Sequence, residues 1–265
     1  MDQTVTSVPA YLLIGWGILG LAVGSFLTVV VYRVPRQLPV LHRRSACPGC
    51  SHEITLKDSV PVLSWLLRRG RCRQCQTTIP VRYPVMEILT GMLFMGTALR
   101  FGLSWTLPPE LAFVAGLIAL AACDLERYLL PKRIVYPTLM LTGLGLTLAA
   151  GVTGRWGRLA TAAASGVIVA LLLFAVHVVK PKWLGFGDVR LAGLLGVGLG
   201  WVAPADVLFG LIFANLAGTV VGVGLMATGR AKRDTPLPYG VFLAGGAIVA
   251  LWCGASFVQW SGHSS

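Results

Sequence analysis

This chain is poor in charge. Only 12% of its 265 residues are Asp, Glu, Lys or Arg, 55% are hydrophobic, and the mean hydropathy is +0.76. So little charge excludes an ordinary soluble domain. Strict alternation of apolar and polar residues is also missing, which excludes a membrane β-barrel. What remains is α-helix, because lipid offers a spanning backbone no other way to satisfy its amides. No strand precedes the glycine-rich stretches, so the 32 glycines form no dinucleotide fingerprint. Pairs such as Gly20–Gly24, Gly196–Gly200 and Gly218–Gly222 have the spacing that lets helices approach closely. No basic stretch precedes the first apolar run, and the run is too long for a signal peptide, so a retained span is expected rather than a cleaved leader. No repeated halves with paired broken helices occur, which argues against a membrane carrier. Acid is scarcest of all: 10 Asp and Glu stand against 22 Lys and Arg, a net charge of +12. In a chain this apolar, the excess reads as basic loops at a membrane surface, with lipid rather than nucleic acid as the partner.

What is present is a series of apolar runs. A membrane helix needs about 20 such residues. Eight runs qualify or nearly do: 9–32, then near 85–103, 109–123, 134–151, 158–179, 189–203, 205–228 and 238–260. The third and sixth are short, and each adjoins an aspartate, as expected where a water-filled site cuts a span. With the N-terminus outside, only Arg100, Arg155 and Arg158 fall on the outer side, and the other 19 of 22 Lys and Arg gather opposite. Such a bias marks the cytoplasmic face. The expected fold is an all-α polytopic membrane protein of about eight transmembrane helices, with a small cytoplasmic zinc-binding loop domain after the first. The expected division is a first helix at 1–33, the loop at 34–84 and a seven-helix block at 85–265.

The loop carries two CxxC knuckles, Cys47/Cys50 and Cys72/Cys75, with 21 residues between them. Four thiolates in this spacing suit a tetrahedral zinc ion. In a reducing compartment, paired disulfides are the weaker reading, and redox dithiols are a further one. About 50 residues make too small a core to fold securely alone, and a structural metal supplies the missing folding energy. His52 is read as a surface residue beside an already filled site. Cys123 and Cys253 lie in apolar runs and are read as small hydrophobes.

Two acids stand out at the membrane. Asp124 closes one apolar run, and Asp188 follows Gly185-Phe186-Gly187 at the start of another. A carboxylate at a helix centre in lipid costs about 2.5–3.5 kcal/mol by insertion scales, so an acid there suggests function. Two that meet at a wet membrane pocket point to aspartyl protease chemistry. Among the other acids, Glu87 is read as structural and Glu126 as a solvated loop acid. Glu110 and Asp206 are read as ordinary end charges on the outer face. His177 is read as packed or snorkelling.

Taken in order, these stretches resemble the prepilin leader peptidase family of type IV pilus and type II secretion systems. The resemblance covers about 24–246. It is carried by the run from Gly24 to Pro35, with Thr28 where asparagine is usual, and by the cysteine loop with Leu63-Ser64-Trp65-Leu66. Arg82-Tyr83-Pro84 with Glu87 and Thr90 continues it. Asp124 followed by Leu130-Pro131 comes next, and then the GxGD pattern at Gly185–Asp188. The family implies an aspartic endopeptidase that cleaves the basic leader of a prepilin or pseudopilin after a glycine at the cytoplasmic face of the bacterial inner membrane. It further implies N-methylation of the new N-terminus from S-adenosylmethionine, and contact with pilus or secretion assembly machinery. Asp124 and Asp188 take the catalytic positions. Gly70 and Arg71 stand where the family has a Gly-Lys pair tied to methyl transfer. Other departures are Arg190 for Lys after GxGD, Lys132 where Asp often follows Leu-Pro, and Pro238-Tyr239-Gly240-Val241 for a Pro-Phe-Gly-Pro-like motif. Asp58-Ser59-Val60-Pro61 lacks the usual Asn before Ile-Pro. A peptidase without methyl transfer and a non-enzymatic membrane carrier or scaffold are the alternatives.

Overall fold

The computed structural model describes residues 8–40, 50, 60–181, 184–230, 232 and 235–262, with side chains of the last helix described to 254. Among them every extended element is helical: α1 (Ala10–Arg33) with a 3-10 turn (Val34–Arg36), α2 (Leu63–Leu67), α3 (Arg82–Phe101), α4 (Leu107–Arg127), α5 (Lys132–Thr153), α6 (Trp156–Val179), α7 (Phe186–Val202), α8 (Pro204–Ala227) and α9 (Tyr239–Gly262). Five are long and apolar enough to cross a membrane: α1 with its 3-10 turn, α4, α5, α6 and α8. These support five of the eight expected spans on length and composition. α3, α7 and α9 occupy the positions of the other three without meeting that measure. The chain divides into two units, Met1–Ser104 and Trp105–Ser265.

In the first unit, α1 packs on α3 along a seam of small residues. A Cβ at Gly20 would fall 2.7 Å from the Cα of Gly91, and one at Gly24 would fall 2.7 Å from the Cα of Glu87. The two backbones therefore touch, as small residues permit. The threonine hydroxyls on α3 are satisfied within the helix: Thr90 and Thr97 each donate to the carbonyl four residues earlier at 2.7 Å. Buried Glu87 accepts the amide of Val62 at 2.7 Å. It thus ties the stretch between the two knuckles to α3, in agreement with a structural reading.

In the second unit, α7 is the inner helix. Leu191, Leu194, Leu195, Leu199 and Trp201 are all nearly or fully buried. Its shortness has this cause: a 17-residue helix wrapped by other helices need not match the lipid thickness. Gly198 receives the ring of Phe113 from α4, and Gly196 lies against Gly166 of α6. One expectation is corrected here. Glu110 and Asp206 are not ordinary end charges: both are fully buried. Both Glu110 oxygens lack a hydrogen-bond partner among the described residues. Antiparallel packing carries the ends of α4 and α8 inside the bundle, which hydropathy alone does not reveal.

Candidate active site and metal centre

Asp124 lies in the last turn of α4, which ends at Tyr128 in the left-handed region (φ 54°) with its amide donating to the Asp124 carbonyl at 2.8 Å. The carboxyl is buried, and its Oδ2 accepts the Val241 amide at 3.2 Å in the first turn of α9. A Cβ at Gly240 would stand 2.9 Å from that oxygen and 3.0 Å from Leu130 Cδ2. The carboxyl reaches the helix end because position 240 has no side chain.

Asp188 lies in the first turn of α7. Its Oδ2 accepts the Gly185 amide at 3.1 Å, while its own amide donates to the Gly185 carbonyl at 3.0 Å. This is the carboxylate arm of a capping box. Gly187 explains the second glycine of the motif: a Cβ there would stand 2.9 Å from the Cβ of Leu130. Leu130 thus packs on both Gly187 and Gly240, joining the neighbourhoods of the two acids. Each acid also faces the N-terminal end of a helix, where the backbone dipole favours negative charge.

Several neighbours carry no motif in the sequence. His177 meets the Leu184 carbonyl through Nδ1 at 2.7 Å, fixing the residue before Gly185. Its ring lies 5.7 Å from that of Phe186. The Arg190 guanidinium stacks 4.4 Å over Phe186. Tyr239 donates its hydroxyl to Asn215 Oδ1 at 3.2 Å. The sequence signals for this pair are the place of Tyr239 in the Pro238–Val241 stretch and a polar Asn inside an apolar run. Glu126 is exposed as expected, but it belongs to the last turn of α4 and not to a loop, because the helix continues to Arg127.

We expect Gly240→Ala to displace the Asp124 carboxyl and Leu130, since a Cβ so close to backbone-held groups has nowhere to go. Peptide cleavage should fall about tenfold or more, because small misplacements of reacting groups carry large rate penalties. Helical content and insertion should be kept. Unchanged cleavage would remove this contact from the machinery.

The cysteine loop is built separately, in the first unit. Cys50, Cys72 and Cys75 bring their sulfurs within 4.8 Å of one another, with Cys50 and Cys72 at 4.0 Å. A tetrahedral zinc with Zn–S near 2.3 Å holds its sulfurs about 3.8 Å apart, so these three donors fit that ion. The fourth expected ligand, Cys47, lies outside the described residues, as does Asp58. The second knuckle is a small hairpin. Cys72 donates its amide to the Thr77 carbonyl at 2.9 Å, and Ile79 donates to Gly70 at 2.7 Å. Trp65 Nε1 donates to the Ile79 carbonyl at 3.1 Å. Gly70 adopts φ +68°, and a Cβ on it would stand 2.8 Å from the Trp65 ring. The space beside Gly70 is thus filled by the indole, while Arg71 is exposed.

Comparison with known proteins bears on both units. The model described as the bacterial peptidase A24 N-terminal domain matches residues 18–101, and that of the type IV leader peptidase family matches 111–223. The prepilin leader peptidase/N-methyltransferase of Aeromonas hydrophila is 33% identical over 265 residues, covering 91% of this chain and 90% of the relative. That of Pseudomonas putida is 37% identical, covering 92% of each. That of Myxococcus xanthus is 40% identical over 220 residues, covering 82% of this chain, which spans only 64% of that relative's length. No solved structure matches the chain. With two-domain agreement and relatives of this identity along nearly its full length, the chain belongs to the type IV leader peptidase family.

Proposed function

We propose that this chain is a membrane aspartic endopeptidase that removes the leader of a type IV prepilin or pseudopilin and then methylates the new N-terminus. The observation that supports the reading is the pair Asp124 and Asp188 within one unit, each held on a helix end by a backbone amide, with Leu130 packed on the glycines beside both. Like charges so placed do not ionise together, and the pair holds one proton between them. The ionised member takes a proton from water, and the resulting hydroxide adds to the scissile carbonyl carbon. The protonated member donates to the carbonyl oxygen. Collapse of the adduct expels the amine with a proton returned from the pair.

Residues 34–84 form the zinc loop and the region tied to methyl transfer, and 85–265 form the peptidase block. Cys47, Cys50, Cys72 and Cys75 hold the zinc, which when bound supplies folding energy to the loop. S-adenosylmethionine, the methyl donor, is supported by the relatives' names. The loops 34–83, 124–133, 180–190 and 229–237 face the cytoplasm of a bacterial inner membrane, a sidedness supported by the Lys and Arg bias. Pilus or secretion assembly machinery receives the product.

Purified protein in detergent, incubated with a prepilin, should lower the substrate's mass by that of its leader. An unchanged substrate mass, with the enzyme folded, overturns the reading. A peptidase without methyl transfer is the second reading, favoured by Arg71 standing for the usual Lys and by the filled space at Gly70.

A further inference from the structure

α8 is apolar from end to end apart from Asp206 at its start, Asn215 and Thr219, and most of its side chains face outward. Asn215 is one of those outward side chains. An amide facing lipid is unfavourable unless its hydrogen bonds are met. Asn215 meets two: its Nδ2 donates to the Leu211 carbonyl at 2.8 Å, and its Oδ1 accepts from the Tyr239 hydroxyl at 3.2 Å. An amide has two N–H groups and two oxygen lone pairs, and a phenol oxygen can also accept. The pair therefore keeps spare donor and acceptor capacity at a lipid-exposed position. Tyr239 directly precedes Gly240 and Val241, which receive Asp124. A polar patch open to lipid thus adjoins Asp124, whose neighbourhood Leu130 joins to that of Asp188.

We propose that Tyr239 and Asn215 form a substrate-positioning pair, supplying hydrogen bonds to the peptide backbone of an apolar helical substrate where it unwinds beside Asp124. The inference rests on the peptidase reading above. A peptide bond can be attacked only after its helix opens locally, and opening leaves amides and carbonyls unpaired in an apolar setting. A nearby amide and hydroxyl offset that cost and hold the opened strand in register. They act through the substrate's main chain and not through a side chain, so they serve substrates of different sequence.

The test compares wild type, Tyr239→Phe, Asn215→Leu and the double variant in detergent. One substrate is an intact prepilin, and the other is the same prepilin with two glycines placed just after the cleavage site to loosen its helix. Each single variant should raise KM for the intact substrate about fivefold, the weight of one ordinary hydrogen bond, with kcat within about twofold of wild type on the same scale. The double variant should be no worse than the poorer single one, because the two groups act as a unit. The loosened substrate should narrow the difference in KM. Equal kinetics of all four enzymes would overturn the proposal. So would an equal loss on both substrates, or a loss in which kcat falls with the thermal midpoint of the variant, since that is what mere packing predicts. Tyr239→Phe keeps the ring and so keeps the test open if Asn215→Leu fails to fold. A wild-type enzyme that cleaves neither substrate refutes the peptidase reading itself and takes this inference with it.

Discussion

Asp124→Asn and Asp188→Asn are each expected to lower cleavage of a prepilin by about 10²- to 10⁴-fold, the usual weight of a positioned acid or base. Asparagine keeps the size of the side chain and can still accept a backbone amide through its oxygen, so the Val241 and Gly185 contacts survive in part and the fold stands. What is lost is the ability to carry or share the proton. The double variant should be little worse than either single one, because residues acting as a unit lose their effect together. Glu126→Gln is the matched control: that acid is exposed beyond the last buried turn of α4, and its variant should cleave normally. Single-turnover cleavage followed by mass reads all four. Substantial activity in either aspartate variant would remove that residue from the chemistry.

The second large effect separates the two reactions. A methyl group can be added only to a free α-amine, and in an intact precursor that nitrogen is locked in the scissile peptide bond. Both aspartate variants should therefore leave an intact precursor unmethylated yet methylate a pilin already trimmed. Cys72→Ser should do the reverse. Loss of a thiolate from a small metal site commonly unfolds the surrounding loop, and here it also strikes the hairpin that Trp65 and Gly70 lock together. Zinc content should fall from one ion per chain to none, and methylation should fall much further than cleavage. Wild-type enzyme that cleaves but never methylates, with the donor present, would make this chain a peptidase alone. Zinc content unchanged in Cys72→Ser would remove that residue from the metal site.

The features legible in the sequence were those whose chemistry is unusual where it stands. Carboxyls beside apolar runs singled out Asp124 and Asp188, and paired thiols singled out the loop, three of whose sulfurs do converge. Contacts set by tertiary packing were not legible. Glu110 and Asp206 looked like end charges because their neighbours in sequence are those of a helix start. Their burial comes from helices far away in the chain. Leu130 was quoted only as part of a Leu-Pro step, and nothing local says that it lies against both Gly187 and Gly240. The shortness of α7 was ascribed to water near an aspartate, while the structure adds a second cause, enclosure by protein on nearly every side. His177 shows the same limit in reverse: packing was expected, but its bond to Leu184 depends on a return of the chain that periodicity does not encode.

The hydrogen-bond donors that reach the two acids are main-chain amides, Val241 for Asp124 and Gly185 for Asp188. Side chains at such donors can drift in evolution without erasing the bond, because every residue but proline brings the same N–H. Proline is also accepted readily in the first turn of a helix. Position 241 is therefore a place where the donor can be deleted while the helix is left intact. The family pattern that ends in proline there lacks this donor, and the present chain with valine has it. Two enzymes with the same pair of aspartates would then hold the shared proton differently, and a pH optimum measured on one would not transfer to the other.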